Sequence, residues 1–155
     1  MADRIGVMEG GHLHQWDEPY SLYHRPADLF VADFIGHGTL VRGRVVDGGQ
    51  LETGLGRLKG ELSQRFAPGD PVYLLVRPDD IVHEHGGALT AMVTHRTFRG
   101  ADFLYTLQLD DGESVLCLSP SHHDHPIGDR IGIRPALEHL VVFARDEAEE
   151  ASASA

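Results

Sequence analysis

The chain has one cysteine, Cys117, in 155 residues, so no internal disulfide framework can form and the fold depends on a packed core. Its neighbours, Val115-Leu116-Cys117-Leu118, read as a buried strand, which makes the thiol an inert core group. Long hydrophobic runs are also missing. Nothing approaches the roughly 20 apolar residues that span a bilayer as a helix, and no signal-peptide pattern opens the sequence. Basic residues are scarce: 13 Lys and Arg against 24 Asp and Glu give a net charge of −11, which repels nucleic-acid backbones and anionic headgroups. Neither a nucleic-acid partner nor direct membrane insertion is therefore expected. No Gly-rich loop ending in Lys-Ser/Thr is present to cradle phosphates, and no Gly-x-Ser-x-Gly elbow to present a nucleophile. Catalytic residues and a bound cofactor are accordingly expected to be absent from this chain.

Glycine, by contrast, is plentiful, with 18 residues placed mostly in turn signals. Ile5, Val7, Leu13 and Gln15 alternate around Glu9-Gly10-Gly11-His12, which predicts a β-hairpin. Pro19 opens a short helix with Asp17 as its N-cap, and Asp28 caps a second helix that stops at Gly36. From Thr39 the apolar period becomes two. Strands are predicted near 39–46, 50–58, 71–77, 88–98, 103–109, 114–118, 130–134 and 137–143. Short strands at this spacing mean a mainly β fold, a small barrel or sandwich preceded by the hairpin and two short helices. The segment Asp146-Glu147-Ala148-Glu149-Glu150, running into Ala151-Ser152-Ala153-Ser154-Ala155, has no apolar periodicity and is expected to be disordered.

Eleven histidines are the unusual item of composition. The segment Ser121-His122-His123-Asp124-His125 offers imidazoles and one carboxylate, a donor set suited to zinc or iron, so His122, His123 and His125 are candidate metal ligands. In an extended loop adjacent residues point to opposite sides, so only His123 and His125 share one, and further ligands would come from His83 or His85. The alternative is a solvated loop. Ser119-Pro120-Ser121-His122 places hydroxyls near imidazole, but sequence spacing alone does not make a catalytic pair.

Several ordered motifs carry a family resemblance. They are Ile5-Gly6-Val7 through Gln15, Phe34-Ile35-Gly36-His37-Gly38, Leu75-Val76-Arg77-Pro78-Asp79-Asp80-Ile81, Val93-Thr94-His95-Arg96-Thr97-Phe98-Arg99-Gly100 and Gly128-Asp129-Arg130-Ile131. Together they resemble the C-terminal part of the ATP-binding subunit of ABC importers, including its TOBE domain, an OB-like β-barrel, and within that family the ferric-iron type. The resemblance implies three segments: 1–36 as the end of the nucleotide-binding domain, 37–145 as the regulatory barrel, and 146–155 as a tail. It implies a parent that hydrolyses ATP with Mg²⁺ in a part not represented here, since the phosphate loop, signature and Mg²⁺-holding motifs are missing. It further implies dimerisation through the barrel, for which Phe98, Phe103, Tyr105 and Phe143 are candidate interface residues. Permease subunits would be partners, with the protein cytoplasmic and peripheral at the inner face of the membrane. Arg77-Pro78-Asp79-Asp80 looks like a structural corner in this family, its arginine a candidate contact to a neighbouring subunit. An apolar patch is expected at the N-terminal end, where the nucleotide-binding part would pack. The competing reading is a free-standing β-barrel that binds a transition metal or small ligand through the histidine-rich loop.

Overall fold

Gly10 and Gly11 both take positive φ, 55° and 82°, in the computed structural model, which describes residues 3–36, 38–47, 49–63 and 66–146, excepting the side chains of Asp33 and Phe34. Left-handed backbone at both central positions matches the twist of a two-residue hairpin, and β1 (Ile5–Glu9) meets β2 (His12–Asp17) with Glu9 opposite His12. One face of the hairpin turns inward through Val7, which packs with Leu22 and Val31 of the helices that follow. On the other face Gly6 lies opposite Trp16 and Met8 opposite Leu13.

Helix α1 (Pro19–His24) starts after Glu18, without a side-chain cap. The cap expected from Asp17 does not form, because its carboxylate accepts instead from the Glu18 N–H at 2.9 Å. Helix α2 (Leu29–Ile35) is capped as expected: Asp28 accepts from the Val31 N–H at 3.0 Å. Gly36 ends α2 in extended backbone. A side chain there would strike the Tyr23 ring at 3.0 Å, so the glycine serves close approach and not a left-handed turn.

Among the described residues twelve strands follow: β3 (Thr39–Val46), β4 (Gln50–Thr53), β5 (Gly56–Leu58), β6 (Glu61–Leu62), β7 (Pro71–Val76), β8 (Ile81–His83), β9 (Leu89–Phe98), β10 (Asp102–Gln108), β11 (Ser114–Pro120), β12 (Arg130–Pro135), β13 (His139–Leu140) and β14 (Val142–Ala144). The span 50–58, read from sequence as one strand, is a hairpin. Thr53 Oγ1 accepts from the Leu55 N–H at 3.0 Å and Gly56 takes φ +99°, which turns the chain back. The span 137–143 also divides, because β13 pairs in parallel with β6 whereas β14 pairs antiparallel with β7.

Two five-stranded sheets result, in the orders β14-β7-β3-β4-β5 and β11-β10-β9-β12-β8. Alternate residues of both, among them Val41, Val45, Leu74, Val93, Tyr105, Leu107, Val115 and Ile133, meet in one core. Each fully buried aliphatic or aromatic side chain contributes on the order of 1.5–3 kcal/mol through apolar area removed from water. The architecture is a mainly β, OB-like barrel preceded by a hairpin and two short helices. Strands β8 and β11 are the outer strands of the second sheet, yet they come together across the barrel: the Cys117 thiol of β11 donates to the Ile81 carbonyl of β8 at 3.3 Å. Burial pushes that thiol up to about 11, which fits the inert role read from its neighbours.

Strand β7 does not alternate, since Leu74, Leu75 and Val76 are all buried. Its outer face is covered by α2, where Ala32 and Leu29 pack with Leu75, Val141 and Phe143. A strand covered on both faces reads as a continuous apolar run. No helix among the described residues is long and apolar enough to cross a membrane. The tail expected to be disordered lies, apart from Asp146, outside the described residues, as does His37.

Candidate functional site

Arg77 ends β7 and opens a 3₁₀ turn over Pro78–Asp80. Its side chain runs back under the helices and is only 3% exposed. The guanidinium donates to the carbonyls of Gly36 (2.8 Å), Ala32 (3.2 Å) and Tyr23 (3.3 Å), and lies 4.5 Å from the centre of the Tyr23 ring. Carbonyls at helix ends have no intrahelical partner, and a planar fork of N–H donors satisfies several at once. The backbone N–H of Arg77 donates to Asp80 at 2.8 Å, which holds the corner. The Tyr23 hydroxyl donates to Asp79 at 3.1 Å; burial first, then the Asp79 charge, lifts that phenol to about 12. Burial likewise raises Asp80 above the ordinary carboxylate value. Arg77 thus ties α1 and α2 to the barrel. Its burial and its carbonyl partners within the chain fit the structural corner read from the sequence.

The outer face of the hairpin is apolar and open. Met8, Leu13 and Trp16 are each more than half exposed, and Tyr20 at the start of α1 is 65% exposed. This is the N-terminal patch that the sequence led us to expect. Of the four candidate interface residues, Phe98 alone lies on the surface. Phe103 and Tyr105 face the barrel core because they occupy the inward positions of β10, and Phe143 is buried beneath α2. These three cannot form an intermolecular contact without unpacking the fold.

The histidine-rich loop joins β11 to β12, and the buried Tyr105 pins it. The Tyr105 hydroxyl donates to the His123 carbonyl at 2.6 Å and accepts from the His125 N–H at 3.0 Å. Arg96 donates to the Asp124 carboxylate and, at 3.1 Å, to the His125 carbonyl. This brings His123 and His125 against His83 of β8, with one ring nitrogen from each lying within 4.8 Å of the others. His122 is not one of the three converging residues; its ring lies beside that of His123, with the ring centres 4.3 Å apart. His83 is pushed below the ordinary histidine value, chiefly by burial and then by the facing His125, His123 and His85 rings. Nothing in the spacing of the loop singled out His83 over His85; the position of β8 decides between them. The Ser119 hydroxyl is buried with no hydrogen-bond partner among the described residues, so it is not paired with an imidazole.

A barrel of this kind has counterparts among known proteins. Residues 74–143 match the TOBE domain family. The chain is 29% identical over 150 residues to the spermidine/putrescine import ATP-binding protein PotA of Haemophilus influenzae. It is 32% identical over 147 residues to that of Methylococcus capsulatus and 32% over 166 residues to that of Aliivibrio fischeri. These alignments cover 86%, 86% and 95% of this chain but only 40%, 38% and 44% of the relatives, so the chain spans about two fifths of their length. Among solved structures, the cytoplasmic molybdate-binding protein ModG matches with a TM-score of 0.56 at 15% identity, over 68% of this chain and 95% of ModG. At that identity the likeness concerns the fold. Fold and family match together define a TOBE domain of OB-like architecture. The chain that carries it is related to the C-terminal region of ABC transporter ATP-binding subunits. The ferric-iron subfamily suggested by the Phe34 to Gly38 motif receives no support from these relatives, which are named for spermidine and putrescine.

Proposed function

We propose that this chain acts as the regulatory and dimerising C-terminal part of an ABC importer ATP-binding subunit. It would work with membrane-spanning permease subunits at the cytoplasmic face of the membrane. The segment 1–36 is then the end of the nucleotide-binding domain, and 37–145 the regulatory barrel. The observation that carries this reading is the hairpin: one face is buried through Val7 in the described chain, while Met8, Leu13 and Trp16 on the other are exposed. An apolar face of that kind on a short hairpin is a docking surface, here for the nucleotide-binding part that the longer relatives possess. Movement of that part would reach the barrel through Arg77, because the hairpin, α1 and α2 are anchored to β7 as one packed body. The chain alone would not hydrolyse ATP, because phosphoryl transfer depends on positioning groups that its sequence lacks. ATP and Mg²⁺ would be held by the nucleotide-binding part. Contact between two barrels would use Phe98, the exposed member of the aromatic candidates.

The test is a fusion of this chain behind the nucleotide-binding part of the Haemophilus influenzae relative, assayed for spermidine and putrescine import. The fusion is expected to import, and Trp16→Asp is expected to lower import without lowering the melting temperature of the chain. Import that is indifferent both to Trp16→Asp and to removal of the barrel would refute the regulatory role.

A further inference from the structure

We propose that His83, His123 and His125 form a binding site for one divalent transition-metal ion of the zinc type, placed where the two outer strands of the second sheet meet. The inference is independent of the transport reading, since it uses only β8, Tyr105 and the loop between β11 and β12.

Three observations carry it. First, the three imidazoles come from two separate elements and present ring nitrogens within 4.8 Å of one another. Zinc–nitrogen bonds of about 2.0–2.1 Å place tetrahedral ligand atoms about 3.4 Å apart, so closure takes ring movements of about 1 Å. Side-chain rotation at His123, which is not buried, would supply part of that movement. Second, the His125 Nε2 is buried and has no hydrogen-bond partner among the described residues, whereas its Nδ1 lies 4.0 Å from the Asp129 carboxylate. Metal-bound histidines commonly turn one nitrogen to a carboxylate and the other to the ion, and this ring has a carboxylate near Nδ1 and an unpartnered, buried Nε2. Third, the loop is not loose: the core hydroxyl of Tyr105 holds the backbone of both His123 and His125.

The donor set selects the ion. Imidazole nitrogens suit Zn²⁺, Co²⁺, Ni²⁺ or Cu²⁺, and disfavour Mg²⁺ and Ca²⁺, which take oxygen ligands. Cys117, the only thiol, is engaged with the Ile81 carbonyl in the core and does not contribute. Three protein ligands leave a fourth position open to water or a small anion. The ion would fasten the β11–β12 loop to β8. Strands β8 and β11 have no backbone ladder between them, so the ion would staple the place where the barrel is not closed by hydrogen bonds.

The experiment is a calorimetric titration of chelator-treated, tag-free protein with Zn²⁺, alongside thermal melts with and without the ion. One equivalent and a raised melting temperature are expected. His83→Ala, His123→Ala and His125→Ala should each weaken binding at least tenfold, on the order seen when ligand shells are disrupted, while His122→Ala and His85→Ala stay within about twofold. His123→Ala alters a side chain outside the core, and an unchanged melting temperature without the ion separates its loss of binding from unfolding. A Co²⁺ titration read by visible absorption should show a four-coordinate spectrum that His83→Ala abolishes. Absence of stoichiometric binding overturns the proposal. So does His83→Ala binding as the parent does, or His122→Ala losing as much as His123→Ala, either of which would mean simple chelation by an exposed histidine loop.

Discussion

Replacing Arg77 by methionine keeps an apolar stem of similar length and removes the guanidinium that reaches the Gly36, Ala32 and Tyr23 carbonyls. A hydrogen bond from a charged donor contributes about 1.5–3 kcal/mol, and stripping one partner from a buried network costs about 3–5 kcal/mol. The lower end applies here, because α1 and α2 lie at the surface and their end carbonyls regain water once they lift; about 3 kcal/mol is the expected loss. It should not spread evenly. The main core draws on β3 to β14, whereas the hairpin and helices touch the barrel through the small cluster of Ala32, Leu29, Leu75, Val141 and Phe143, through Arg77, and through the surface contacts Tyr23–Asp79 and Arg25–His139. Native-state hydrogen exchange separates the two regions. In Arg77→Met the amides of β1, β2, α1 and α2 should exchange about 100-fold faster, which is the factor equivalent to about 3 kcal/mol. Amides of β9, β10 and β11 should keep the parent rate. Arg77→Lys retains the charge but offers no fork, so it should fall between the two. Equal acceleration across the molecule, or none in the N-terminal segment, would refute the view that this arginine fastens one body to the other.

Asp28→Ala removes the α2 cap and the 2.6 Å partner of His14 together, and should cost about 1–2 kcal/mol in urea unfolding. The His14 imidazole is held above its ordinary value of 6.5, chiefly by the Asp28 hydrogen bond. A raised folded value means its stabilisation is complete below pH 6.5 and fades as pH rises through the folded midpoint. Proton NMR should therefore place the His14 midpoint above 6.5, and Asp28→Asn should bring it down. Gly132→Ala would set a methyl group 2.2 Å from the Glu84 carbonyl oxygen, a backbone atom that cannot swing aside; a loss of about 2–3 kcal/mol is expected in thermal melts. The Cys117 thiol, pushed up to about 11 by burial, should react with a thiol reagent at pH 8 only as fast as the barrel opens. Rapid labelling of folded protein would contradict its place in the core.

How much of this was legible beforehand depended on the range of the interactions. Residues 39–46 declare themselves as a strand because a half-buried strand must alternate, and paired glycines at 10 and 11 declare a tight hairpin because they readily accept two left-handed positions. Asp28 announces its helix for the same local reason. The sharing of one side by His123 and His125 also follows from backbone geometry alone. By contrast, β8 was hidden behind the Pro78 corner, and with it the choice of His83 as the third imidazole. The aromatic candidates were indistinguishable along the chain. Tyr105 and Phe103 fall inward through the register of β10, and Phe143 is buried only because α2 lies across a sheet face that periodicity would leave to solvent. Arg77 gave no sign that its partners would be carbonyls lying 41 to 54 residues earlier.

By itself, then, the sequence determined the run of short strands, their turns, the capped helix and the family resemblance, since those rest on neighbours a few residues apart. Only the tertiary structure decided which faces are covered, which histidines converge and what the buried arginine holds, because burial and convergence are set by residues distant in the chain that meet only when the sheets close.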